Sequence, residues 1–185
     1  MTQTNRTLFI NAKLIDPEAA TEARGSLLVE NGIITDIMPG DSNGQHDAQN
    51  IVDCGGKYLA PGIVDIGVKV CEPGERHKES FRTAGQAAAA GGVTTMVTRP
   101  DTDPTIDNPE SLEFVIRRAR EAAPVHVHPM AALTKGRKGR EMTEIGFLLD
   151  AGAVAFTDCD SVVTDTKVFS RALTYARSLG ALVIA

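Results

Sequence analysis

The residues of this sequence best equipped for chemistry gather at or just behind short apolar runs. Lys69 and Cys71 come at the end of 63–70, Arg99-Pro100-Asp101 follows 93–98, His126 and His128 lie within 125–133, and Asp158-Cys159-Asp160 follows 153–157. A lysine amine such as Lys69 attacks carbonyl carbon once burial has lowered its pKa. A thiol such as Cys71 or Cys159 attacks as its thiolate, which needs a neighbouring cation or a helix N-terminus to form. Carboxylates at 101, 158 and 160 can carry protons or bind a metal. Two residues at i and i+2 of a strand point to the same face, so His126 and His128 can in principle reach one metal. Each has a plainer role beside it. Lys69 is expected to be neutralised by Glu72 or Asp158, the cysteines to be inert for want of an activating group, and His126 and His128 to pack or hydrogen-bond, since no third ligand accompanies them.

The elements that must position these residues change in character along the chain. Up to residue 58 the pattern is strand-rich: 7–15, a pair of strands within 26–37 turned at Asn31-Gly32, and 51–57, with a polar loop over 40–49. Asn-Gly between apolar runs is a strong hairpin signal. From residue 59 strands and helices alternate: strand 63–70, helix 77–90 ending at Gly91-Gly92, strand 93–98, a helix to 122 opened by Asn108-Pro109, strand 125–133, helix 141–151, strand 153–157, helix 166–178 and the start of a strand at 182–185. Asn at the cap with Pro in the first turn is a common helix start. Five strands alternating with four helices, in units of roughly 30 residues, predict a parallel sheet with right-handed crossovers.

An open doubly wound sheet and a closed barrel both satisfy that alternation. The open sheet favours a Gly-rich loop after its first strand, and no GxGxxG occurs. A barrel places its chemistry at the C-terminal ends of the strands, where the unusual residues fall. The expected fold is therefore an α/β barrel of the (β/α)8 TIM type, of which residues 59–185 are the first part, preceded by a small β-rich module over 1–58. The sequence then stops inside a fifth strand, so the C-terminal half of the barrel is expected to lie outside it.

The net charge is −5, with 19 Lys and Arg against 24 Asp and Glu, and the sequence pI is near 5.4. The densest basic stretch, 135–140, is broken by two glycines and has no aromatic beside it, which argues against a nucleic-acid footprint. No apolar run nears the roughly 20 residues of a membrane span, and the polar N-terminus lacks the apolar core of a signal peptide. The three cysteines show no CxxC spacing. Together these point to a cytoplasmic protein.

The stretch from Ala60 through Asp65, Lys69, Cys71 and Glu72 to Gly74 resembles the first barrel strand of class I dihydroorotases, members of the amidohydrolase superfamily. Supporting matches follow in order: His77-Lys78-Glu79, Ala87 to Thr95, Pro100-Asp101-Thr102-Asp103-Pro104, Ala132 to Gly136, and Gly152 to Asp158. The resemblance implies a zinc-dependent cyclic-amide hydrolase of pyrimidine synthesis, and the departures from it fall on functional positions. Where the family has His-x-His, this chain has Gly67 and Lys69. Glycine offers no donor, and a lysine binds a metal only after losing its proton. The family's substrate-binding Arg is Cys71, which cannot form a bidentate fork on a carboxylate. The Asn of its Pro-Asn-Thr motif is Asp101, expected to oppose an anionic substrate. Its Asp-Asp-Gly is Asp158-Cys159-Asp160, with one acid kept at Asp158 and cysteine at 159. The second is taken as the ligand position, so that Cys159, like Gly67 and Lys69, is a vacated ligand position, although the alignment leaves 158 and 159 open.

The resemblance thus implies a member without its metal and with little or no catalysis, hence no expected cofactor and no catalytic residue. Inactive dihydroorotase-like chains in the family serve as structural partners of aspartate carbamoyltransferase, so that enzyme, or self-association, is the expected partner. An active dihydroorotase with ligands supplied elsewhere, and a hydrolase of altered chemistry using Lys69 and Cys71, remain as alternatives. His77 matches a family position at the start of a helix and is read as structural, and His46 as a loop residue.

Overall fold

A computed structural model describes residues 5–40 and 48–185; His46 and most of the polar loop expected over 40–49 lie outside the described residues. The chain divides into two compact units, Met1–Pro61 and Gly62–Ala185. Strands β1 (Arg6–Asp16), β2 (Thr21–Glu30), β3 (Ile33–Pro39), β4 (Asn50–Asp53) and β5 (Tyr58–Leu59) form the first unit. Its sheet runs β3-β2-β1-β4, with β5 also paired to β1. The Asn31-Gly32 turn joins β2 and β3 as the sequence predicts, and both residues take the positive φ (52° and 83°) that a tight hairpin requires. The β1–β2 hairpin turns through Pro17-Glu18-Ala19-Ala20, which carry no such dipeptide to mark it in the sequence.

The second unit is built on β6 (Ile63–Val68), β7 (Val93–Thr98) and β8 (His126–Pro129), parallel and in that order. Helices α1 (Phe81–Ala90), α2 (Pro109–Ala122), α3 (Ile145–Asp150) and α4 (Thr166–Ser178) accompany them. Ser80 caps α1 in a capping box with Thr83, and its alanine-rich body needs no side-chain entropy to stay helical. Asn108 caps α2 by accepting from the Ser111 N–H, with Pro109 in the first turn. Asp165 caps α4 through the N–H groups of Lys167 and Val168.

Several expected elements differ. The first helix begins at Phe81, so His77 lies in the preceding loop; Glu72 accepts the Phe81 N–H and fixes the start there. The strand expected over 125–133 is regular only over His126–Pro129, after which single bonds continue the pairing, the Met130 N–H to Thr98 O and the Ala131 N–H to Ala155 O, both at 2.9 Å. The strands expected over 153–157 and 182–185 reduce to single parallel bridges, Ala131 to Phe156 and Phe156 to Val183. Their hydrogen bonds still run on both sides: Thr157 N to Ala131 O at 3.0 Å, Phe156 N to Leu182 O at 2.9 Å and Ile184 N to Phe156 O at 2.9 Å. The parallel order therefore continues from β8 through residues 154–157 to 182–184, the opening part of a (β/α) barrel.

The core lies between this sheet and its helices: Phe81 and Ala84 of α1, Leu112 and Val115 of α2, Ile145 and Leu148 of α3, and Ala172 and Ala176 of α4 meet Met96 and Phe156. The register places Val64, Thr95 and His126 side by side, and Ile66, Val97 and His128 in the next row. Met96 and Val127, which alternate with them, pack into the core, so these two rows occupy the other face. Val64 and Ile66 are 56% and 66% exposed there.

Candidate functional site at the strand ends

The C-terminal ends of β6 and β7 and the loop after Phe156 bring Lys69, Arg99, Asp101, Cys159 and Asp160 together. Lys69 Nζ lies 3.1 Å from Asp101 Oδ2. Arg99 makes a two-pronged contact with the same carboxylate, Nε to Oδ1 at 3.1 Å and Nη2 to Oδ2 at 2.9 Å, and its Nη2 also donates to Asp160. The Asp101 side chain is almost wholly buried, 3% exposed, while Lys69 and Asp160 reach solvent. Two cations thus face two carboxylates. The expected pairing of Lys69 with Glu72 or Asp158 is corrected: both acids are buried and already engaged. Glu72 accepts from the Phe81 N–H at 3.0 Å and from Arg118 Nε at 2.9 Å. Asp158 accepts from the Thr134 N–H at 2.9 Å and from the Thr134 hydroxyl.

These contacts set the electrostatics. The hydrogen bond from Lys69 to Asp101, reinforced by their charges, raises the lysine pKa above its ordinary 10.5. Lys69 is therefore an ammonium at neutral pH, without the free amine that imine chemistry requires. Burial first, and then the Asp101 charge, push the Cys159 thiol above its usual 9.0, which keeps it protonated. Asp160 is held below 3.8 by its own backbone N–H and then by Arg99. The expectation that Asp101 opposes an anion is also amended, because Lys69 and Arg99 balance its charge on the spot.

Asp158 and Cys159 part company. Asp158 turns into the protein toward Thr134, whereas Cys159 joins the strand-end cluster. Among the described residues the donors of Asp101, Cys159 and Asp160 lie within 4.8 Å of one another, as a metal-binding group would. One thiol and two carboxylates are ligands that zinc accepts. A dication here would nonetheless have to displace the Lys69 ammonium and the Arg99 guanidinium and deprotonate Cys159. Gly67 provides no donor at all; it sits at a register shift between Ile66 and Val68 with φ of 95°, and open space where a Cβ would stand. The first-strand positions do not fit a metal. His126 and His128 are exposed on β8 and are not gathered with a third ligand among the described residues.

Cys71 is partly buried beyond the end of β6, in a loop whose next residue is the anchored Glu72. Sequence reasoning did not assign Arg118 and Thr134, which fix Glu72 and Asp158. Nothing at the sequence level marks either one, since each partner is more than 20 residues away: 46 positions from Arg118 to Glu72 and 24 from Thr134 to Asp158. Arg99, Asp101 and Asp160 all stand in view at strand ends in the sequence, but their pairing does not.

A family model described as dihydro-orotase-like matches residues 56–185. A dihydroorotase of Sulfurihydrogenibium sp. (strain YO3AOP1) is 39% identical over 177 residues, covering 95% of this chain and 41% of that protein. A dihydroorotase of Anaplasma phagocytophilum (strain HZ) is 41% identical over 178 residues, covering 95% and 39%. Among solved structures, L-hydantoinase (dihydropyrimidinase) from Arthrobacter aurescens aligns with a TM-score of 0.79 at 21% identity, over 96% of this chain and 39% of that one. That likeness bears on the fold, and it places the chain in the N-terminal part of such a barrel. The chain spans about two fifths of the length of these relatives. These matches correct the expectation that no cofactor is needed: the family is one of metal-dependent amidohydrolases, and an Asp–Cys–Asp donor group is present. Among the described residues, no helix is long and apolar enough to cross a membrane.

Proposed function

This chain belongs to the dihydroorotase-like family, and from that premise we propose that it is part of a cytoplasmic dihydroorotase-like protein of pyrimidine biosynthesis whose ring-hydrolysing site is disabled. The observation that carries the reading is the Lys69–Asp101 pair. The first-strand position where the family has a ligand histidine holds an ammonium that is committed to a neighbouring carboxylate. Gly67, two residues earlier, has no side chain to offer. Cys71 lacks the guanidinium that would clamp a substrate carboxylate. Loss of several cooperating groups at once leaves little for the remaining ones to do, because groups that act as a unit lose their effect together. The scaffold then serves as a structural partner, with aspartate carbamoyltransferase as the proposed other side.

The test is an assay of the full-length protein for interconversion of dihydroorotate and carbamoyl aspartate, with added zinc and without. Turnover within about tenfold of an ordinary dihydroorotase would overturn the reading in favour of an active enzyme that draws its ligands from elsewhere. The reading that Lys69 and Cys71 form a new hydrolytic site has the raised Lys69 pKa against it.

A further inference from the structure

We draw no further inference here: the strongest candidate, the Asp101–Cys159–Asp160 cluster at the strand ends, belongs to the site already described, and with its carboxylates paired to Lys69 and Arg99 nothing in the structure points to a ligand for it.

Discussion

Lys69 and Arg99 converge on a single buried carboxylate, that of Asp101, from the ends of two adjacent parallel strands: the ammonium at 3.1 Å and the guanidinium at 2.9 Å. The arrangement is asymmetric in solvent. Asp101 is 3% exposed, Arg99 27% and Lys69 53%. The cost of disturbing it should follow that order of burial.

Replacing Asp101 by Asn should therefore destabilise the protein by about 1–3 kcal/mol, the range for losing hydrogen bonds to a charged group. Asp160→Asn, at a carboxylate 74% exposed, should cost far less, because exposed pairs are screened by solvent. Urea denaturation of the two variants would check the contrast. Equal costs would mean that Asp101 is solvated and the network is a surface feature.

The protonation of Lys69 can be read directly. Its pKa is raised, so the stability that the pair contributes is fully present below about pH 10.5 and is lost as pH rises through the raised value. Asp160, whose pKa is lowered, contributes above pH 3.8 and loses that contribution as pH falls through the lowered value. Between those limits both charges stand. At neutral pH, reductive alkylation should label Lys69 more slowly than the exposed lysines other than Lys135, whose pKa Glu141 raises in the same way, and Asp101→Asn should abolish the difference. Preferential labelling of Lys69 in the unaltered protein would instead favour a nucleophilic amine.

Glu72 offers a sharper stability test. Its carboxylate is 3% exposed as a residue and takes up the first N–H of α1 together with Arg118 of α2, so one side chain ties the loop after β6 to two helices. Glu72→Gln keeps the shape but weakens both bonds to charged or dipolar donors, and should cost about 2–3 kcal/mol. Thermal or urea unfolding measures it. A variant as stable as the parent would show that the loop is held by its apolar neighbours alone.

Much of this molecule is legible in its sequence, and the limits are instructive. Strand 93–98 and the helices at 109–122 and 166–178 are legible with their bounds, because an apolar β-branched run marks the strand, Asn108-Pro109 opens the first helix and Gly180 follows the second. The strands at 154–157 and 182–184 are shorter than their apolar runs, because pairing there depends on neighbours distant in sequence. At the site, the residue types were legible while their partners were not. Lys69 has acids at positions 72, 101 and 158 within its reach in principle, and only the fold shows two of them taken by Arg118 and Thr134.

Restoring two histidines should not restore catalysis. Gly67→His places a side chain at φ of 95°, where L-residues are strained, so the register shift beside it must flatten before the imidazole can point as a ligand. Lys69→His removes one of the two cations on Asp101, and Cys71 still offers no guanidinium. Together these defects should hold dihydroorotase turnover roughly a thousandfold or more below that of an ordinary member, equivalent to about 4 kcal/mol in the barrier. Steady-state kinetics on the full-length double variant would measure it. Substantial turnover would mean that the substrate pocket survives and that only the ligands were lost.

The partner is the remaining test. On the proposed reading the scaffold is retained through an interface, with aspartate carbamoyltransferase as the proposed other side. The helix side of the second unit carries exposed apolar groups, among them Phe147 at 66% and Leu179 at 42%. Scattered groups of this kind are ordinary on a surface and do not by themselves define a contact. A stable complex typically buries about 1,200–2,000 Å² in total, enough to survive gel filtration at micromolar concentration. Full-length protein co-expressed with the transcarbamoylase should elute with it as one large assembly, and leaving this chain out should lower the transcarbamoylase's oligomeric order or its thermal stability. If self-association is the true interface, the protein will elute alone as a dimer or larger and the transcarbamoylase will be indifferent to its absence. Separate elution of a monomer, with an unaffected transcarbamoylase, would leave no interface to explain the retained scaffold and would end the structural-partner reading.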